Sequence, residues 1–233
     1  MDIMKAFYGT VQKIKDEVAS IRERDPAAES DAEVLLLYSG LHAVMYHRCA
    51  HMLYENGHSF AARLVSQHAR FITGIEIHPG AQIGNGLFID HGSGVVIGET
   101  TVIGDNCTIY QGVTLGGTGK DTGKRHPTLG DNVLVGAGAR VLGPVKIGSN
   151  VKIAAGAVVL CDIPDDCTAV GVPAHIVKRS GVRINRPCDL DQIHVPDPVS
   201  QEICRLRALI TEIGKNTMSP EQLSELLSRL GEK

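Results

Sequence analysis

Two pairs of adjacent residues carry the side chains best suited to chemistry, Asp90-His91 and Arg125-His126. Neutral imidazole titrates near physiological pH, so an Asp-His pair can bind and deprotonate a small nucleophile. Arginine offers the planar fork that grips a carboxylate with two hydrogen bonds. A lone histidine is more often a structural, hydrogen-bonded residue. Position separates these two from that case, because both pairs fall where a regular sequence pattern is interrupted.

The pattern is a six-residue repeat. From Ile77 an aliphatic recurs at Ile77, Ile83 and Ile89, then at Ile97, Ile103, Ile109 and Leu115. It resumes at Leu129, Val135, Val141, Ile147, Ile153 and Val159. Glycine often follows, as at Gly84, Gly98, Gly104, Gly116, Gly130, Gly136 and Gly148, and is expected to supply turn geometry that a Cβ would obstruct. A small or β-branched residue sits four positions on, as at Ala81, Ser93, Thr101, Cys107 and Val113. A period of six matches neither an α-helix nor an alternating strand carried over such a length. It matches a short strand plus a turn, three to a triangular coil, with the aliphatics stacked inside. The expected fold is therefore mainly β with α-helical ends: a left-handed parallel β-helix of hexapeptide repeats.

The register slips by two residues in IDHGSGVV and by eight in GGTGKDTGKRHPT. Insertions in a solenoid bulge outward, commonly on the binding face. The first slip holds Asp90-His91 and the second ends in Arg125-His126. The second loop is not a P-loop: the first glycine that GxxxxGK[ST] requires is Thr114 or Thr118, and Asp121 and Arg125 follow the lysines.

Helices are expected on either side. Residues 2–24 carry a helical apolar period ending at Pro26, a second helix runs from Ser30-Asp31 to Asn56-Gly57, and a third spans 59–71. After GVPAHIVKR closes the solenoid, a linker leads to helices over 199–214 and 219–231, the latter opened by a Ser-Pro-Glu-Gln cap. This divides the chain into an N-terminal helical domain (1–74), a β-helix domain (75–180) and a linker with C-terminal helices (181–233).

Composition narrows the classes. The 233 residues include 26 glycines and 4% aromatics with no tryptophan, as suits a repetitive aliphatic core. A net charge of −3 with both signs dispersed argues against nucleic acid. No apolar run approaches the roughly 20 residues of a membrane span, and no secretory signal opens the chain. Cys49, Cys107, Cys161, Cys167, Cys188 and Cys204 form no CxxC pair and read as reduced thiols of a cytoplasmic protein. His47 and His51 have a metal-compatible spacing but lack the HExxH glutamate, and His78, His91 and His126 do not share a ligand spacing, so no metal is expected.

The segment from IHPGAQIG to GVPA, with DH…GET, GVTLGGTGK and RHP in that order, closely resembles the serine acetyltransferases over roughly residues 20–180. The resemblance implies acetyl transfer from acetyl-CoA, as co-substrate, to the hydroxyl of L-serine in cysteine biosynthesis. No permanently bound cofactor is implied. By the same resemblance His91 is the general base and Glu76 its orienting carboxylate, where the family usually has aspartate. Asp25, Asp90, Arg125 and His126 then bind the substrate, with His126 near the reacting hydroxyl and Glu99 supporting the site. Gly117, Thr118, Ala137, Lys152 and Ala155 fall on the acetyl-CoA groove between neighbouring β-helices. L-Cysteine is implied as a feedback inhibitor.

A homotrimer is implied too. The about seventy residues ahead of the repeat favour it over the hexamer of relatives with longer N-terminal regions. Relatives that dock into O-acetylserine sulfhydrylase end in isoleucine, whereas this chain ends at Lys233, so that partner is not expected. The rival readings are a hexapeptide acetyltransferase acting on a sugar or other small hydroxyl, and a non-catalytic scaffold.

Overall fold

In the computed structural model, which describes residues 3–119, 122–183 and 206, each hexapeptide forms one two- to four-residue strand and one turn. Three parallel faces result. The first carries β1 (Glu76–Ile77), β4 (Val96–Ile97), β7 (Thr114–Gly116), β10 (Arg140–Leu142) and β13 (Val158–Val159). The second carries β2 (Gln82–Ile83), β5 (Val102–Ile103), β8 (Thr128–Leu129) and β11 (Lys146–Ile147). The third carries β3 (Phe88–Asp90), β6 (Thr108–Tyr110), β9 (Leu134–Val135), β12 (Lys152–Ile153) and β14 (Cys167–Val170). β15 (His175–Arg179) and β16 (Val182–Arg183) extend the third face antiparallel and close that end.

Register is set residue on residue: Ile77 stands on Ile97, Ile97 on Leu115, and Leu115 on Val141. Twelve of the thirteen repeat aliphatics are buried, and Ile83 is partly so. Each such side chain contributes about 1.5–3 kcal/mol by leaving water, which makes the column the main source of cohesion. Ser93 departs from the small inward residues. The two-residue bulge exposes it, and Val95, fully buried, takes the inward slot.

The repeat glycines serve a different purpose from the one expected. Left-handed backbone at the second-to-third corner falls on Gly86, Asn106, Asn132, Asn150 and Asp166, none of which directly follows a repeat aliphatic. Gly84, Gly104 and Gly130 are needed for close approach: a Cβ on Gly104 would lie 2.7 Å from the backbone of Gly130. Side-chain ladders knit this corner, with Asp131 Oδ1 accepting from Asp105 N at 2.8 Å and Asp165 Oδ1 from Ser149 N at 2.7 Å.

The N-terminal helices are α1 (Ile3–Arg24), α2 (Asp31–Leu37), α3 (Ser39–Glu55) and α4 (Ser59–Thr73). Ser30 caps α2 by accepting from Glu33 N at 3.2 Å, and Gly74 ends α4 in the left-handed conformation. The single helix expected over 31–56 is broken at Tyr38, whose ψ of 102° is extended. The break lets α3 lie against β3. A Cβ on Gly40 would stand 2.1 Å from Ile89 O, so only glycine admits this approach. Arg24 fixes the end of α1, donating to Ser20 O at 3.0 Å, Gly86 O at 2.6 Å and Cys107 O at 3.2 Å while covering the Phe88 ring. The helices expected over 199–214 and 219–231 lie outside the described residues. Among those described, no helix is long and apolar enough to cross a membrane.

His47 on α3 is 2% exposed, and its Nδ1 has no partner among the described residues. Burial, followed by the neighbouring His51 and Arg48, pushes its pKa down to about 3. An unfolded chain takes up a proton near 6.5, so between that pH and about 3 the unfolded state binds more protons. Stability should therefore fall as pH drops through this window, by up to about 1.4 kcal/mol per pH unit from this group. Urea midpoints measured across the range should show that slope, and His47→Leu should reduce it; an unchanged slope would assign the acid sensitivity elsewhere.

Candidate active site

Both register slips open at corners of the prism that flank the first face. The third-to-first corner, between β3 and β4, carries Asp90 and His91; His91 itself is left-handed, with φ 56°. In the single chain its side chain is 76% exposed, and its Nε2 lies 3.7 Å from Asp90 Oδ1. The helical break brings a second carboxylate to this corner. Tyr38 donates its hydroxyl to Asp25 Oδ2 at 2.7 Å, and Asp25 Oδ1 accepts from Ala27 N at 2.8 Å. The bond to Asp25, then burial and the nearby charges of Asp25, Glu33 and Asp90, push the Tyr38 phenol up to about 12. Tyr38 thus stays protonated and bound to Asp25, while the Asp90 charge acts on the same phenol.

Ala137 and Ala155 lie further along the same corner, in the turns after β9 and β12. Gly136 N donates to Ile153 O, and Gly156 N to Ala137 O at 2.8 Å, so these turns are wall-like and present only methyl groups. Lys152 is exposed on the adjoining third face.

The first-to-second corner holds the other group. Arg125 Nη2 is hydrogen-bonded to Glu99 Oε2, and Tyr54 donates to Glu99 Oε1 at 3.3 Å. The Arg125 bond is the largest reason the Glu99 carboxyl is held below its ordinary range. His126, 8% exposed, has its Nδ1 2.9 Å from Thr100 Oγ1 and 3.2 Å from Thr100 N. Burial first, then the Arg125 charge, lowers the His126 pKa, so its imidazole is neutral at physiological pH. The ring lies over two glycines: a Cβ on Gly98 would stand 2.2 Å from Nε2, and one on Gly117 3.1 Å from it. Thr118 follows at the exposed start of the inserted loop, whose residues 120 and 121 lie outside those described.

Glu76 has an ion-pair partner within the chain. On β1, between the two corners, its Oε2 pairs with Arg70 at 3.3 Å, and the carboxylate beside His91 is that of Asp90. Arg70 comes from the last turn of α4. Among the described residues, no cluster of three His, Cys, Asp or Glu side chains is arranged to hold a metal ion.

Residues 126–161 match the family described as bacterial transferase hexapeptide (six repeats), and 94–117 match the hexapeptide repeat of succinyl-transferase. A serine acetyltransferase of Staphylococcus aureus is 58% identical over 196 residues, covering 84% of this chain and 91% of that protein. The chain belongs to the serine acetyltransferase family. Among solved structures, the Brucella abortus serine acetyltransferase in complex with coenzyme A superposes with a TM-score of 0.73 at 42% identity, over 76% of this chain and 70% of that one. A serine acetyltransferase complex with cysteine gives 0.72 at 39% identity, over 75% and 68%.

Tyr38, Tyr54, Gly98 and Thr100 escaped the sequence reading. Gly98 looks like every other repeat glycine, and Thr100 was hidden one residue beyond Glu99. Tyr38 sits within an apolar run that reads as continuous helix. Two substitutions test these placements. Gly98→Ala should push the His126 ring aside and lower kcat of the family's acetyl transfer at least about tenfold with the circular-dichroism spectrum unchanged. Tyr38→Phe removes a bond to a charged partner, so serine KM should rise about tenfold while acetyl-CoA KM holds. Steady-state kinetics with each substrate varied checks both.

Proposed function

We propose that this chain transfers acetyl from acetyl-CoA to the hydroxyl of L-serine, forming O-acetyl-L-serine and CoA in the cytoplasm as a step towards cysteine. Family membership supports the reaction. The observation that carries the assembly is the division of polar groups between two corners separated by the whole width of the first face. Asp90 and His91 occupy one, Arg125, His126 and Glu99 the other. One chain cannot close such a site, whereas three prisms packed side by side bring one corner of each against the other corner of its neighbour. A homotrimer with three shared sites follows.

In this reading Asp25 and Asp90 hold the serine ammonium, and Arg125 takes the carboxylate with Glu99 fixing its approach. His91 removes the hydroxyl proton as the oxygen attacks the thioester carbonyl. The resulting tetrahedral intermediate collapses by breaking the carbon–sulfur bond, and the imidazolium returns its proton to the departing CoA sulfur. Glu76 is assigned to orient His91, which requires it to exchange its ion pair with Arg70. The pantetheine arm would run along the methyl-lined wall of Ala137 and Ala155 and the loop residues Gly117 and Thr118, with Lys152 near a CoA phosphate. L-Cysteine, differing from serine only in its side-chain heteroatom, would occupy the same acceptor site as an inhibitor.

Thiol release from acetyl-CoA, measured with L-serine, with sugars and with no acceptor, tests the reading. Release should require serine. His91→Ala should lower kcat on the order of 10²-fold or more. Arg125→Met should raise serine KM far more than that of ethanolamine, which lacks the carboxylate. Release with sugars but not serine, from intact trimer, would overturn the assignment.

A further inference from the structure

Thr100 makes more contacts with the inserted segment than its small side chain suggests. Its Oγ1 receives the backbone N–H of Arg125 and that of His126, each at 3.1 Å. Those two donors fill the lone pairs of the hydroxyl, whose single proton is left for His126 Nδ1 at 2.9 Å. Thr100 N–H is aimed at the same nitrogen from 3.2 Å. Lys124 Nζ closes the arrangement by donating to Thr100 O at 2.6 Å and to Pro127 O at 3.2 Å.

A ring nitrogen approached by two donors carries no hydrogen, and in a neutral imidazole the other nitrogen then must. We infer that Thr100 is a positioning residue that holds His126 as the Nε2–H tautomer, so that His126 offers a hydrogen-bond donor to an oxygen of the reacting centre and takes no proton from the substrate. The inference deepens the acetyl-transfer reading and rests on it for what the donor meets. The hydrogen-bond network alone fixes the tautomer. The environment agrees with it: Arg125, Lys124 and His78 disfavour a second proton on the ring, and only Glu99 opposes them. Glycine at 98 and 117 leaves the Nε2 side without a Cβ. A fixed donor facing developing negative charge costs no reorganisation during the reaction, which is the property that makes such groups effective. It also leaves proton removal to His91.

Two measurements on the whole 233-residue chain test this. In histidine-labelled protein at neutral pH, nitrogen–proton correlation spectra should show His126 with its proton on Nε2 and a bare Nδ1. Thr100→Ser should keep that signature; Thr100→Val, retaining only the backbone donor, should mix the tautomers. Kinetically, Thr100→Val should lower kcat about tenfold, part of the roughly 10²–10³ that a whole donor is worth, with acetyl-CoA KM unchanged. Thr100→Ser should restore most of the loss. His126→Gln, whose amide N–H lies near the Nε2 position, should retain more kcat than His126→Asn, whose amide lies near Nδ1. A wild-type Nδ1–H tautomer, or equal losses in the Gln and Asn variants, would overturn the inference, and the spectrum decides even where Thr100→Val does not fold. A fixed Nε2–H tautomer in a protein that transfers no acetyl to serine would instead overturn the proposed reaction and leave the tautomer standing.

Discussion

Stacking at the spacing of a parallel ladder is the constraint on which the rest of this structure depends. Each coil must lie one strand spacing, about 4.8 Å, from the next on all three faces at once. Aliphatics fill the inside because every inward position stands directly on another. The corners have no such freedom of size. At the second-to-third corner Gly84, Gly104 and Gly130 stand so close that a single Cβ would meet the backbone of the next coil. Extra residues can leave the stack only at a corner and only outward, so the ladder decides where chemistry can be placed.

That constraint explains why the two slips matter and why the proposed site is divided between chains. The bulge at Ser93 and Gly94 sits on the third-to-first corner, and the loop after β7 on the first-to-second. Neither can reach across the first face without leaving the ladder. A sheet wide enough to stack is too wide for its two edges to share one small substrate, and in the proposed assembly a neighbouring copy supplies the other edge. The helices are tied to the same ladder: Arg24 is clamped on Gly86 and Cys107, and Tyr38, after the helical break, holds the neighbouring Asp25.

The sequence was most informative where one physical cause repeats. A six-residue period is printed many times over, so the strands, their register and the two breaks could be read directly, and with them the corners that carry Asp90, His91, Arg125 and His126. What could not be read depends on single long-range contacts. Tyr38 breaks the expected helix because its hydroxyl reaches Asp25 and because Gly40 must touch Ile89, and neither partner is near in sequence. Glu76 turns to Arg70 for the same kind of reason. The glycines were read as turn formers because glycine often is. The left-handed positions fell on other residues: Asn106, Asn132 and Asn150 at one corner, where Asn132 Nδ2 donates to Asn150 Oδ1 at 3.3 Å, and Gly112, Gly138 and Gly156 at another.

In the proposed reaction the two histidines have two kinds of work. His91 stands on a protruding turn with its ring largely in the open within one chain, where a proton can arrive and depart. His126 lies under its own segment, with Nδ1 saturated by Thr100 and its ring against glycines 98 and 117. A base must change protonation state in every cycle, whereas a donor to developing charge works best when it does not change at all. Burial and hydrogen bonding enforce the second condition at His126, and exposure permits the first at His91. The different lengths of the two register slips provide this difference: two extra residues only lift a side chain out of the coil, while eight allow the chain to fold back and bury one.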